Sequence, residues 1–532
     1  MFAAGYQGLI VDEKVVVAYA ASSAFYPRIS PFHPNRAYPE YRFTQIGVEQ
    51  NMPYDAVRSC FREAGLDLEH YGTSQWNPLK GMISPGETIL LKPNMVKEQH
   101  PRDPEGWRYV LTHGSVIRAV GDYVWKALEG VGKVIIADAP QADSSFSQMV
   151  RLLGLDMIRD FYRSQGLDLE LIDLRKEEWV NRDGVIVSRH RLAGDPYGSV
   201  AFDLGGCSEF VNHYGAGRYY GADYDMGALN YHHCEGRHEY LIAGCAAKCD
   251  VIFSLPKLKT HKKAGITVSL KNLVGINGDK NWLPHHTEGH PNRGGDEHPN
   301  PDAKHRVERT LAAYFRSVSL KRPGLGTWLH RHARRVGAHM FGDTEEVIRS
   351  GNWWGNDTIW RMCLDLNKLI LYGNTDGTLR PGIPENRKRH YVIVDGIIAG
   401  EGRGPINPDP VPAGIVVFGT HPASVDAACA YLMGYDPEAI PIIRQAFLCR
   451  QYPLAEWSWR DVRLVSNRPE WNGLLPEFAD KCTFHFEPHF GWKGNIERTG
   501  ADEKSTTGPH ADSANRERDP VTAHHPKLRE IE

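Results

Sequence analysis

The chain alternates between short β-branched runs and longer amphipathic segments. Apolar residues recur at helical spacing from Val116 to Leu128, between two of the short runs. A strand, a helix and a strand in that order predict a parallel pair with a right-handed crossover. The pattern therefore predicts an α/β fold with a mostly parallel open sheet and helices on both faces. The runs that predict strands are 15–19, 88–91, 134–137, 169–174, 251–255, 392–394 and 414–418.

Two stretches depart from this alternation. Residues 303–375 carry a helical pattern with many arginines and histidines, which predicts a helical insertion. Residues 499–532 are polar and nearly free of aromatic side chains, a composition typical of a disordered tail. The predicted α/β core is then discontinuous and comprises residues 1–302 and 376–498.

A cluster of cations follows one of the predicted strands. The apolar run Val251–Leu255 ends at Pro256, and the next residues include Lys257, Lys259, His261, Lys262 and Lys263. Because lysine is rarely buried without a partner, we expect these side chains to be reached by anions or solvent. A solvated basic loop is one interpretation. The glycines and apolar residues around the cluster favour the other, an anion-binding site.

Polar residues also follow other predicted strands at their carboxyl ends. In open α/β sheets, ligands bind at that edge, where the strand order reverses. We therefore predict that these side chains converge on one site. They are Lys92 with Asn94, Asp138, Lys257 with Lys259 and His261, Asp395, and Thr420 with Asp426.

The residue types at this edge indicate their roles. Ammonium groups and amides suit a phosphorylated or carboxylated substrate, and glycines let backbone N–H groups approach an anion. Histidine titrates closest to neutral pH, so His261 or His113 would transfer protons. The predicted substrate-binding residues are Lys92, Asn94, Lys257, Lys271, Asn272, Gly402 and Gly404. The predicted catalytic residues are His261, Lys259, His113 and Asp395.

The histidines at 285, 286 and 290 raise a metal hypothesis. Imidazole nitrogens suit zinc, iron or nickel, and carboxylates suit magnesium. The competing hypothesis is that these histidines line a solvent-exposed lid, since Pro284 and Gly289 disfavour the helix that would align them. The predicted ligands of a divalent ion are Asp138, His285, His286 and Asp426. The cysteine spacing predicts no iron–sulfur cluster held by this chain alone.

Composition narrows the class of protein. The 532 residues are 41% hydrophobic and carry a formal net charge of −3, which argues against a nucleic-acid binder. Nine cysteines without a repeated spacing favour a reducing compartment. The opening lacks the basic segment of a signal peptide, and no window is as apolar as a membrane span. We expect a cytoplasmic protein, and the sequence leaves its oligomeric state open.

Several motifs occur along the chain in a fixed order. They are Lys92-Pro93-Asn94, Thr112-His113, Asp138-Ala139-Pro140, Leu255-Pro256-Lys257-Leu258-Lys259-Thr260-His261, Leu270-Lys271-Asn272, Asp395-Gly396, Gly402-Arg403-Gly404-Pro405 and Ser424-Val425-Asp426-Ala427. Together they resemble the bacterial and archaeal family called domain of unknown function 362, over residues 87–150 and 236–445. The resemblance implies an α/β fold and a shared site but no established reaction. Some relatives carry ferredoxin-like cysteine motifs, which this chain lacks, and the insertion is a further departure.

Two functions of different classes fit these observations. The first is an enzyme that acts on a small anionic substrate by acid/base or metal-assisted chemistry. The second is a non-catalytic anion-binding or assembly protein whose helical insertion docks a partner. Catalysis requires a proton-transfer group in a perturbed environment, whereas a binding protein needs only the lysines.

Overall fold

The computed structural model describes residues 12–20, 23–182, 185–221, 225–300, 347–478 and 484–498. Its strands are β1 (Lys14–Tyr19), β2 (Thr88–Pro93), β3 (Lys133–Asp138), β4 (Leu169–Asp173), β5 (Glu177–Arg182), β6 (Val185–Arg191), β7 (Ser199–Asp203), β8 (Tyr219–Gly221), β9 (His233–Cys234), β10 (Arg237–Ala243), β11 (Val251–Leu255), β12 (Lys257–His261), β13 (Gly265–Thr267), β14 (Pro284–Thr287), β15 (Arg389–Glu401), β16 (Asp409–Val411), β17 (Ile415–Gly419), β18 (Arg463–Ser466) and β19 (Gly473–Leu474).

The α-helices alternate with these strands for much of the chain. They are α1 (Met52–Glu63), α2 (Trp107–Val110), α3 (Gly114–Ala127), α4 (Phe146–Leu152), α5 (Leu155–Ser164), α6 (Met226–His232), α7 (Gly244–Lys248), α8 (Ser269–Asn272), α9 (Ile359–Tyr372), α10 (Pro422–Leu432) and α11 (Pro441–Leu448). No helix in the described part of the chain is long and apolar enough to cross a membrane.

Twelve strands of the described residues form one sheet. Its main path runs β19-β18-β1-β17-β15-β11-β2-β3-β4, and β12, β13 and β16 extend it beside β15. The strands from β15 to β4 are parallel, whereas β17 pairs antiparallel with both β15 and β1. The predicted fold class, a mostly parallel sheet with helices on both faces, is confirmed.

The two faces of the sheet are buried in two separate hydrophobic clusters. In β1, Val15 and Val17 belong to the cluster under α7, α9 and α10, whereas Val16 and Ala18 belong to the cluster under α1, α3 and α5. Side chains alternate between faces along a strand, so both faces of such a run need apolar residues. This is why the central strands are continuous apolar runs in the sequence.

The cationic segment after Pro256 is a strand, not a solvated loop. β12 pairs in parallel with the far half of β15, so that Lys257 lies opposite Asp395 and Lys259 opposite Gly400. All five residues of β12 are buried, and the exposed fraction of Lys257 and Lys259 is 0%. The expectation that Lys259 is reached by solvent is therefore wrong. The long strand β15 supplies the backbone partners that let this polar segment enter the sheet.

Helix α9 lies within the range predicted as a helical insertion. Its residues are buried except for the partly exposed Arg361. The helix packs against α8, and the Asn367 side-chain amide donates to the Leu270 carbonyl, 2.9 Å away. Residues 301–346 and the predicted tail at 499–532 lie outside the described residues. The boundaries of the discontinuous core and of the insertion stay a prediction.

Candidate functional site

The strand order reverses between β2 and β11. From β2 the sheet continues to β3 and β4 on one side, whereas β11 and β15 lie on the other. The Asn272 side chain lies across this junction. Its amide nitrogen donates to the Lys92 carbonyl and the Ser254 hydroxyl, both at 3.0 Å, and its oxygen accepts from the Asn94 amide at 3.2 Å. The junction is the position at which open α/β sheets bind ligands.

A cavity of about 630 Å³ opens above this junction. Within the described part of the chain, most of the charged side chains that line it are cationic. The Lys and Arg residues are Lys92, Lys259, Lys262, Lys263, Lys271, Lys280 and Arg349, and the carboxylates are Asp138, Asp143 and Glu297. His261, His285 and His286 also line it. Such a lining, with more cationic than anionic side chains, is the composition expected of an anion-binding cavity.

One of these lysines is neutralised by a buried carboxylate. The Lys92 ammonium lies 2.8 Å from the Asp138 carboxylate, and both side chains are buried. Asp138 also accepts from the backbone N–H groups of Met95, at 2.7 Å, and Ala139, at 2.8 Å. A Cβ atom at Gly275 would lie 1.8 Å from this carboxylate and 2.7 Å from the Lys92 nitrogen. Only glycine at this position leaves room for the ion pair.

Lys259 and Lys271 have no carboxylate partner among the described residues. The Lys259 ammonium donates to the Val110 carbonyl of α2. Burial, together with the charges of Lys257 and Lys271, holds the pKa of Lys259 well below its usual value. The surrounding protein also lowers the pKa of Lys271 by desolvating its ammonium. Part of the Lys271 side chain is nevertheless exposed. Of the two lysines, Lys271 is therefore the one that is partly exposed, whereas Lys259 is fully covered.

Asp426 holds the helix that carries Lys271. Its carboxylate accepts from the backbone N–H groups of Ser269, at 2.8 Å, and Leu270, at 3.2 Å, at the beginning of α8. Burial raises the pKa of Asp426 well above its usual value. The first N–H groups of a helix have no partner within the helix. Asp426 accepts from two of them and so stabilises this short helix.

The hydrogen bonds of His261 define its tautomer. Its Nδ1 atom accepts from the backbone N–H groups of Lys263 and Ala264, each at 3.1 Å. Burial and the neighbouring Lys271 hold the pKa of His261 well below its usual value, so the ring is neutral at pH 7. The proton of a neutral ring then lies on Nε2, because Nδ1 is an acceptor. His261 is in this state a hydrogen-bond donor toward the cavity.

His285 has the opposite tautomer. Its Nδ1 lies 2.8 Å from the Leu283 carbonyl, which can only accept, so Nδ1 carries the proton and Nε2 has a free lone pair. Burial, then the charges of Lys263 and Lys271, hold the pKa of His285 well below its usual value. The lysines that a bound anion would neutralise are the ones that lower this pKa. An anion in the cavity would therefore raise the pKa of His285 and make it a better base.

Lys263 and His286 form a contact on the same wall. The Lys263 amine lies 3.2 Å from His286 Nδ1, and the His286 ring stacks on Tyr220 with centroids 5.2 Å apart. Burial lowers the pKa of Lys263 to about 7. Lys263 thus changes its charge near neutral pH.

Six predicted site residues do not line this cavity, the two glycines among them. Lys257 and Asp395 form an ion pair of 3.0 Å with neither side chain exposed, and Tyr26 bonds to both, at 2.6 Å each. The backbone N–H of His113 donates to Asp395, at 2.9 Å, and its ring stacks on Tyr26. His113 lines a separate cavity of about 320 Å³, beside Trp107 and the Arg28 and Arg108 side chains. Asp426 lies behind α8, against its backbone.

The two predicted glycines support β12 from behind. The Gly402 carbonyl accepts from the Thr260 hydroxyl at 3.1 Å, and the Gly404 carbonyl accepts from the Lys262 N–H at 3.1 Å. A Cβ atom at Gly404 would lie 2.0 Å from the Thr260 carbonyl. Glycine is needed there for close packing of two backbones, and the neighbouring Pro405 is the residue of this loop that lines the cavity.

The predicted metal ligands do not form one cluster in the described part of the chain. The single group of three whose ligand atoms lie within 4.8 Å of one another there is Asp67, Glu69 and His70, far along the sequence from the predicted set. Asp138 is engaged by Lys92, and Asp426 by backbone donors. A divalent ion at this site stays a prediction.

Several lining residues were not assigned from the sequence. Lys263 and Lys280 belong to the cationic stretch, and their position in it was the signal that could have identified them. Some apolar residues of the lining follow no predicted strand of the main sheet, so the sequence did not identify them. They come from the hairpin β5–β6 and from β8. These contribute Trp179, Ile186 and Tyr220 to the cavity lining.

Residues 198–431 match the family model described as "Domain of unknown function (DUF362)". This match supports the resemblance of the segment to the DUF362 family. The matched residues include β12, α8, β14, β15 and Asp426, whereas Lys92 and Asp138 precede them. The family is named for having no known function, so the match adds no reaction to the site.

One solved structure, a crystal structure of a structural-genomics target from Thermotoga maritima, is similar to this chain. The identity is 11%, the TM-score is 0.28, and the likeness covers 65% of this chain and 54% of that protein. The chain thus spans about half of the length of that relative. Likeness at this level shows neither a shared site nor a shared reaction. None of the curated proteins matches the chain.

Proposed function

We propose that this protein is an enzyme that binds a small phosphorylated or carboxylated substrate in the cavity above the β2–β11 junction. The observation that supports the proposal best is the excess of cationic over anionic side chains in the cavity lining. A buried lysine without a counter-ion costs free energy of folding, so the placement of Lys259 and Lys271 at one cavity supports a role for their charge.

The substrate's anionic group would lie against Lys271, with Lys259 beneath it. Lys271 is partly exposed to the cavity and has no carboxylate partner in the described part of the chain. A charge-assisted hydrogen bond from its ammonium would contribute about 1.5–3 kcal/mol to binding. The neutral ring of His261 would donate a further hydrogen bond from Nε2.

His285 is the candidate general base. Its Nε2 lone pair is available because Nδ1 donates to the Leu283 carbonyl. Binding of the anion would raise the pKa of His285 toward the working pH and allow proton transfer from a carbon or hydroxyl of the substrate. This assignment replaces the proton-transfer role predicted for His113, whose ring lines another cavity.

Native mass spectrometry of the purified protein, followed by turnover of the co-purified ligand, tests the proposal. We expect a bound anionic molecule in the wild type and its conversion to a product on incubation. The His285→Gln variant should keep the ligand and lose conversion by about a hundredfold or more, the range seen for general bases. His190→Gln, at an exposed position of β6, is the matched control and should convert the ligand normally. A ligand that is bound but never converted by the wild type would contradict the catalytic part of the proposal.

A further inference from the structure

The cavity is larger than a simple anion requires. Its volume of about 630 Å³ corresponds to roughly twenty water molecules. It lies within the range of about 300–1,000 Å³ that encloses drug-sized ligands. A phosphate or carboxylate group alone would leave most of this space filled with water.

The chemistry of the lining differs between its two sides. The cations that face the sheet edge come from β2, β12 and α8, namely Lys92, Lys259 and Lys271. An apolar part of the lining, here called the apolar wall, comes from the hairpin β5–β6, from β8 and from the beginning of α6. Its side chains are Trp179, Ile186, Tyr220 and Met226.

The apolar wall includes a flat, partly exposed aromatic surface. Tyr220 is partly buried and stacks on His286 with an interplanar angle of 25°. His286 Nδ1 contacts the Lys263 amine, and the pairing of β14 with β8 places His286 opposite Tyr220. Ile186 and Met226 are also only partly buried. Aromatic rings favour offset stacking on such surfaces, and apolar side chains favour the burial of apolar area.

We infer that the ligand of this cavity is an aromatic or similarly planar phosphate or carboxylate, with its anionic group on Lys271 and its ring against Tyr220. The inference rests on the proposed anion site and adds the chemical class of the substrate's body. A planar body attached to the anion fills the volume that a bare anion leaves empty. It also covers apolar side chains that water alone would otherwise contact.

Paired titrations of wild-type protein with inorganic phosphate and phenyl phosphate, and with acetate and benzoate, test the inference. We expect the aromatic member of at least one pair to bind at least tenfold more tightly than its simple anion. The pair that shows the larger ratio identifies the anionic group. Equal affinities within both pairs would overturn the inference while leaving the anion site intact.

Variants of the wall separate its contribution from that of the lysines. Tyr220→Ala should reduce the phenyl phosphate to phosphate affinity ratio severalfold, whereas Tyr220→Phe should keep the ratio. Tyr214→Ala, at a tyrosine that is 81% exposed and does not line the cavity, is the matched control. Ile186→Ser provides a second test of the same wall if Tyr220→Ala does not fold. An unchanged ratio in folded wall variants would overturn the inference, and absence of binding of all four probes to the wild type would overturn the anion site with it.

Discussion

Two regions of the molecule bury a lysine from the same strand, and they differ in charge balance. Lys257 is enclosed with Asp395 and Tyr26, and its exposed fraction is 0%. Lys259, two residues further along β12, donates only to a backbone carbonyl and lies beneath a cavity lined by further cations. The first region satisfies its charge internally. In the second, our proposal is that an external anion neutralises the excess of cations, and this difference would separate a structural lysine from a functional one.

The largest expected effect is on the stability of the region around Lys257 and Asp395. Replacing Asp395 by Ala leaves the Lys257 ammonium buried without its counter-ion, so we expect the free energy of unfolding to fall by about 3–5 kcal/mol. Urea denaturation measures this loss. The double variant Lys257→Met, Asp395→Leu removes both charges and should recover most of the stability. A double variant as unstable as Asp395→Ala would mean that the loss comes from packing and not from charge.

A smaller effect on stability is expected when Lys259, which has no carboxylate partner in the described part of the chain, is replaced. In Lys259→Met the buried ammonium is replaced by an apolar side chain of similar length, so stability should be unchanged or raised by about 1 kcal/mol. Phosphate affinity should fall a fewfold, because Lys259 acts through its charge without direct contact. Denaturation and calorimetric titration of the same preparation measure both quantities. Destabilisation by several kcal/mol with full affinity would reverse the contrast between the two lysines.

The smallest expected effect is a pH dependence of anion binding. Burial lowers the pKa values of Lys259 and Lys271 and brings that of Lys263 to about 7. Part of this charge is therefore lost in the free protein as the pH rises, and a bound anion restores it. Sulfate keeps its charge near neutral pH, so its affinity should fall as the pH rises from about 6 to 8, with uptake of less than one proton per ion. Calorimetry in buffers of different ionisation enthalpy measures the uptake, which should be absent if these amines keep their charge throughout.

The same lowered pKa values make the folding stability depend on pH. A lysine whose pKa is lower in the folded than in the unfolded state binds fewer protons when folded, so its contribution to stability rises with pH and is lost as the pH falls. Anion binding and folding stability should therefore respond to pH in opposite directions at this site.

The sequence predicted the sheet better than the site. Continuous apolar runs such as Val251–Leu255 identify central strands, because both faces are buried. It did not reveal that β12 is a strand, since its alternating lysines resemble a solvated segment and only pairing with β15 buries them. Nor could it distinguish Lys257 from Lys259. The two are chemically identical and share one strand face, and the tertiary neighbours Asp395 and Val110 alone give them different roles.

The central claim is tested most directly by titrating wild-type protein and the Lys271→Gln variant with phosphate. Among Lys92, Lys259 and Lys271, Lys271 is the one that is partly exposed. Lys80→Gln, at an exposed lysine outside the cavity lining, controls for the change in net charge. At fixed ionic strength, the account predicts a loss of affinity of at least tenfold for Lys271→Gln, with an unchanged melting temperature, and no change for Lys80→Gln. Equal phosphate affinity in all three proteins would contradict the claim that the cavity binds anions through its unbalanced lysines.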